Sequence, residues 1–186
     1  MNIIKFDKIA KIYSGIRNTS FKNKEENYSY KLITLNHENN FQIDMNKLEN
    51  LKTDKQLDDK YLLKKGDIIM RLTPPYTSRI IEFDEDNITT TSNYAIIKVN
   101  EKYSPEILTF YLNSEYIKKQ IYQAYDESSI KVINISNIKK FNIIEIQKEK
   151  EETYKKLITN FKKKKRLTYM QLELEEDLLE EIIFGE

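Results

Sequence analysis

Residues 61–83 read Tyr-Leu-Leu-Lys-Lys-Gly-Asp-Ile-Ile-Met-Arg-Leu-Thr-Pro-Pro-Tyr-Thr-Ser-Arg-Ile-Ile-Glu-Phe, and their pattern decides the fold class. Lys65-Gly66-Asp67 is turn chemistry: glycine accepts left-handed backbone and aspartate bonds its own main chain. Ile68 to Leu72 is short, apolar and rich in β-branched residues, which predicts a strand. Pro74-Pro75 ends it, because neither proline can donate to a sheet ladder. Ser78 to Phe83 then returns as a second β-prone run, so the segment predicts a hairpin-like pair with a stiff tip.

The same grammar extends in both directions. Residues 93–99 predict another strand, and residues 30–35 a further one. Ser104-Pro105-Glu106 is a helix start, with serine capping and proline at the first helical position. Apolar spacing continues through Ile107, Leu108, Tyr111 and Leu112 and resumes at Tyr116, Ile117 and Ile121. Ile133 to Ser136 leads into a short turn of helix, and residues 141–146 read as a last strand. Near the start, Asp7 can cap a short helix through Tyr13, closed by Ser14-Gly15. Residues 1–146 are therefore expected to form an α/β (mixed α+β) domain with a mixed sheet.

The chain changes character after Ile146. No proline follows, and no glycine until Gly185, among Glu, Lys and Leu at helical spacing. This predicts one long helix over about 148–183 and a second segment, 147–186.

Composition excludes several classes. Of 186 residues, 39% are hydrophobic and 33% charged, and no apolar run approaches the ~20 residues of a membrane span. The opening Met1-Asn2-Ile3-Ile4-Lys5 lacks signal-peptide character. Cysteine is absent, which excludes disulfides and thiolate metal sites and suits the cytoplasm. Net charge is +1, so any electrostatic footprint must come from charge placement.

A search for catalytic chemistry returns little. The single histidine, His37, sits in a polar Asn-His-Glu-Asn-Asn stretch without a Ser or Cys nucleophile arrangement. Asp67, Glu82 and Asp84 are the best acids for a metal-dependent nuclease, but Asp67 is also what a Lys-Gly-Asp turn requires. Three glycines, none at phosphate-loop or dinucleotide spacing, leave no nucleotide cradle. Pro74-Pro75-Tyr76 approaches an amino-methylation motif, yet Leu72-Thr73 precedes it where an acid or amide is needed. No catalytic residue, metal or cofactor is assigned.

Two loops carry nucleic-acid chemistry. Arg71, Thr73, Tyr76, Ser78 and Arg79 surround the proline tip, and Arg17, Asn18 and Lys22 lie in a second polar-basic loop. Arginine forks read guanine edges, while hydroxyls and lysines grip phosphate. Composition alone favours the plainer reading of each loop as a solvated hairpin tip.

Five blocks in order resemble the target recognition domain of type I restriction–modification specificity subunits. They are Ile4-Lys5-Phe6-Asp7-Lys8-Ile9-Ala10-Lys11-Ile12-Tyr13-Ser14-Gly15, similar to that family's opening strand, short helix and Ser-Gly, and Tyr30-Lys31-Leu32-Ile33-Thr34-Leu35. Tyr61-Leu62-Leu63-Lys64-Lys65-Gly66-Asp67-Ile68-Ile69 follows, the most recognisable of the five. Pro105-Glu106-Ile107-Leu108-Thr109-Phe110-Tyr111-Leu112-Asn113-Ser114 and Ile135-Ser136-Asn137-Ile138-Lys139-Lys140-Phe141-Asn142-Ile143 complete the set. Glu145-Ile146-Gln147-Lys148-Glu149 departs from the family's Pro-Pro-Leu-x-x-Gln stretch. The resemblance implies a half-length, non-catalytic subunit that reads a short duplex DNA sequence. It also implies a separate adenine methyltransferase subunit, and a nuclease–translocase subunit, as partners. From a different class, a non-catalytic scaffold assembling partners through its helix remains open.

The long helix suggests self-pairing. Tyr154, Leu157, Ile158 and Phe161 form one apolar stripe, and Leu172, Leu178, Leu179, Ile182 and Ile183 another. Lys164, Lys165 and Thr168 interrupt the seam between them, so the pattern is no regular zipper. Residues 162–166 are all basic, whereas acids cluster over 173–181. An antiparallel pair crossing near Thr168, with itself or another half-subunit, sets these blocks against each other; folding back on the chain's own domain is the other option.

Overall fold

The computed structural model describes residues 2–17, 27–35, 43–124 and 132–185. The chain divides into two units, Met1–Ile146 and Gln147–Glu186. In the first, β1 (Ile3–Lys5), β2 (Ala10–Ser14), β3 (Tyr28–Ile33), β4 (Glu49–Thr53), β5 (Ile68–Arg71), β6 (Ser78–Ile80), β7 (Ile88–Thr90) and β8 (Tyr94–Val99) precede the helices. Then come α1 (Pro105–Leu112), α2 (Glu115–Gln123), α3 (Ile135–Lys139) and β9 (Asn142–Ile144), and the second unit is α4 (Lys148–Phe184).

Three sheets form: β2-β8-β5-β6, antiparallel throughout; β4-β3-β7, in which β3 runs parallel to β7; and the pair β1-β9. The four-stranded sheet is covered on both faces. Ile68, Met70, Ala95 and Ile97 join Leu108, Leu112, Ile117, Ile121 and Ile138 beneath the helices. Ile69, Tyr94 and Ile96 turn the other way, to meet Ile33 and Ile88 of the three-stranded sheet. A strand buried on both faces needs no polar alternation, which is why β5 and β8 read as nearly continuous apolar runs.

The N-terminal helix expected through Tyr13 does not form. A single 3-10 turn at Phe6–Lys8 is followed by β2, whose Ala10 and Ile12 are buried while Lys11 is exposed. That alternation has the two-residue period of a strand and outweighs the cap signal of Asp7. The Lys65-Gly66-Asp67 turn forms as its chemistry demands, with Gly66 at φ 88°. Asp67, almost fully buried, accepts from the Lys64 amide (2.9 Å) and from Lys98 Nζ (2.8 Å), which also reaches the Leu62 carbonyl. This clamp ties the turn to β8.

In α1, Ser104 accepts the Ile107 amide at the N-terminus as a cap. No described helix is long and apolar enough to cross a membrane.

Candidate nucleic-acid interface

The strand directions bring the two arginine loops together. β2 ends at Ser14 opposite Ala95, β5 ends at Arg71 opposite Tyr94, and β6 begins at Ser78 opposite Met70. The segments 15–17, 71–78 and 91–94 therefore gather at one end of the four-stranded sheet. β2 and β5 flank β8 at ~4.8 Å each, so the two loops emerge ~10 Å apart, within the ~12 Å width of a DNA major groove. Residues 14–17, 71–79 and 91–94 hold three arginines and no carboxylate, in a chain with 30 Asp and Glu.

Gly15 fixes the first loop. Its amide donates to the Tyr94 carbonyl, and any Cβ there would collide with the carbonyl oxygens of Thr90 and Thr91. Ile16 bridges Thr91 and accepts the Ser92 amide (2.7 Å), so Arg17 leaves an anchored base and is exposed. Asn18, Lys22 and His37 lie outside the described residues.

The second loop is a closed turn. The Tyr76 amide donates to the Thr73 carbonyl (2.9 Å), and Tyr76 adopts φ 56° beside the cis Pro74-Pro75 bond. The exposed prolines form the tip. Arg71 is half-buried, and its Nε donates to Thr73 Oγ1 (3.1 Å), which orients the guanidinium. Arg79 pairs with Ile69 across the hairpin, so both arginines project from the face of the sheet that carries Ile69.

Tyr76 and Ser78 are placed differently from the arginines. Tyr76 is 3% exposed in the core beneath the helices, with its ring edge-on to Tyr122. Ser78 is 4% exposed, and its backbone is clasped by the Asn113 side chain, which accepts from Ser78 N (2.8 Å) and donates to Ser78 O (2.9 Å). Both residues support the loop from beneath.

Pattern reading missed the elements supporting this end. Tyr122 remains exposed next to Tyr76, and Asn113 stands in for a further strand along the edge of β6. The turn 91–93 leads into β8 between the two loops. Its only sequence signal was the run Thr89-Thr90-Thr91-Ser92-Asn93, polar residues ahead of an apolar strand.

The nuclease candidates do not converge. Asp67 is spent on Lys98, Asp84 pairs with Lys65 (2.7 Å), and no group of three metal-ligating residues occurs among the described residues.

On α4, Tyr154, Leu157, Phe161, Leu172, Leu178, Leu179 and Ile182 are exposed by 37–70%, whereas Ile158 is 7% exposed. Leu167, Met170 and Leu174, absent from both expected stripes, are exposed as well. Among the described residues no ion pair engages Lys162, Lys163, Lys164 or Arg166.

No family model matches the chain, and no curated protein does. Solved structures do. One, from work on complex assembly and conformational transition of the type I R-M system, aligns with TM-score 0.72 at 12% identity over 96% of this chain. The HsdS subunit of Thermoanaerobacter tengcongensis aligns with TM-score 0.68 at 12% identity over 95%. The type I restriction–modification S subunit of M. genitalium aligns with TM-score 0.59 at 14% identity over 97%. This chain has the specificity-subunit fold. It spans 44–46% of the length of those chains. The arginine-bearing sheet end belongs to the first unit, and α4 makes up the second.

Proposed function

We propose that the chain is a non-catalytic DNA-reading specificity subunit. It binds a short duplex sequence and positions a separate adenine methyltransferase subunit, with a nuclease–translocase subunit as a further partner. The observation that carries this reading is the convergence of both arginine loops at one end of the sheet, where segments 14–17, 71–79 and 91–94 carry no carboxylate, on a specificity-subunit fold. Arg17, Arg71 and Arg79 reach DNA, Thr73 holds Arg71, and Asn18 and Lys22, which follow Arg17 in the sequence, are proposed as further contacts. Tyr76 and Ser78 act as supports.

In the same reading, α4 joins two copies, or this chain and another half-subunit, in antiparallel fashion. Seven of the eight assigned seam residues are exposed apolar side chains that a lone helix leaves in water. The five cations at 162–166 have no carboxylate within six residues of either end of the block, and the acids from 173 onward supply it from a second copy.

Salt titration of duplex binding by the purified chain tests the DNA reading. Contacts to several phosphates give an affinity that falls steeply with added salt, each contact adding about 0.9 to the log–log slope. Binding that ignores salt, or no binding, supports the scaffold function instead. In cells, adenine methylation at a defined sequence should depend on this chain together with its methyltransferase and S-adenosylmethionine. Cleavage by the pure chain with Mg²⁺ alone would revive the nuclease.

A further inference from the structure

β8 is the second strand of the sheet, and the turn Thr91-Ser92-Asn93 leads into it between the two arginine loops. On one side Thr91 bridges Ile16 and the Ser92 amide donates to the Ile16 carbonyl (2.7 Å). On the other side the Leu72 amide donates to the Asn93 carbonyl (2.8 Å), directly after Arg71. The backbone of this turn therefore lies between the anchors of Arg17 and Arg71.

Nothing in the fold accounts for an asparagine at this position. Asparagine earns its place in turns by adopting positive φ or by bonding its own backbone. Asn87 does the first, at φ 58°, but Asn93 is not among the positive-φ residues. Its exposed side chain makes no hydrogen bond among the described residues, while its carbonyl accepts the Leu72 amide. Two residues earlier, the buried Thr91 hydroxyl likewise has no protein partner. Thr77 and Ser78, whose hydroxyls are also buried and unpartnered, lie at this same end of the sheet. Buried polar groups are ordinarily satisfied, so the orphaned Thr91 hydroxyl marks the turn beside Asn93 as one that packing within the fold does not account for.

We propose that the 91–93 turn is a third reading element of the DNA surface and that Asn93 specifies an A·T pair. A carboxamide donates to N7 and accepts from N6 of adenine in one bidentate contact, and no other base presents that pair of groups in the major groove. This inference rests on the DNA-reading function proposed above and adds to it the identity of one base.

The test is selection from a randomised duplex pool with the purified full chain, run for wild type, N93A, N93D and R71A, with melting curves for each. Wild type should return a consensus containing adenine at a position that N93A leaves unselected, at a cost of about tenfold to a hundredfold on the wild-type site. N93D keeps the shape of asparagine but loses the donor, so it should also abandon adenine there. R71A should relax a different position. An N93A consensus identical to wild type at every position overturns the role of Asn93 and leaves the DNA reading standing. Loss of every preference in N93A with an unchanged melting curve also overturns a single-base role. A wild-type chain that selects no consensus overturns the DNA reading, and Asn93 with it.

Discussion

A base-reading arginine must be held in place and still present its fork, and Arg71 has both properties. Its Nε is tied to Thr73 Oγ1, which leaves the two terminal nitrogens to donate. Replacing Arg71 with alanine should cost about 1–3 kcal/mol on the cognate duplex and little on random DNA. Equal binding of wild type and R71A/R79A to the selected site in titrations would remove this loop from the interface. Asn113 works one step back, by bonding both the N–H and the C=O of Ser78. N113A strands a donor and an acceptor on an edge strand and should lower stability by about 1–3 kcal/mol, seen as a melting point several degrees lower. The arginines were visible in the sequence because charge beside a proline tip is a local signal. The roles of Tyr76 and Ser78 were not, because burial depends on what the strand packs against. Alternation would have set Ser78 and Arg79 on opposite faces, but which face met solvent was decided by α1.

At the level of elements, local chemistry was legible wherever it was strong. Ser104-Pro105 starts α1, Gly66 makes its turn, and the glycine- and proline-free tail forms α4. It failed where a strand is short or carries mixed signals. β4, Glu-Asn-Leu-Lys-Thr, buries only Leu51 and Thr53, and β7 is three residues long. The apolar seam of α4 leaves orientation open, and the proposed antiparallel pairing rests on charge order. Parallel helices would set the cations of 162–166 against each other, whereas antiparallel helices crossing near Thr168 bring them within about a turn of the acids from Glu173 onward. The chain has no cysteine, so introduced thiols report cleanly. For a crossing near Thr168, residues 157 and 179 face each other, while two copies of residue 157 lie ~33 Å apart at 1.5 Å per residue. Disulfides need Cα atoms within about 7 Å. L157C/L179C should therefore oxidise to a covalent dimer, and L157C alone should stay monomeric on a non-reducing gel. Efficient cross-linking of L157C alone would establish parallel pairing.

The whole molecule holds the information that sequence order hides. β2 and β8 pair across more than 80 residues, with β5 and β6 beyond them, so no local pattern could show that residues 15–17 and 71–79 share one sheet end. The five blocks that resemble specificity subunits carried that arrangement only as a family expectation. The same scale bears on the proposed DNA target. The first unit joins α4 at Lys148, and α4 has 37 residues, about 55 Å of helix. In an antiparallel pair the two Lys148 ends lie at opposite extremes of that length. One turn of B-DNA is ~34–36 Å, so in the proposed pair the two points of attachment are between one and two turns apart. A two-fold pair must read the same bases twice with inverted polarity, separated by a gap it does not read. Selection with the homodimer should thus return an interrupted palindrome whose half-site centres fall in that range. Light scattering should give a dimer at micromolar concentration in low and moderate salt. A monomer in both conditions, with a selected site lacking any inverted repeat, would refute the self-paired assembly and leave another half-subunit as the mate.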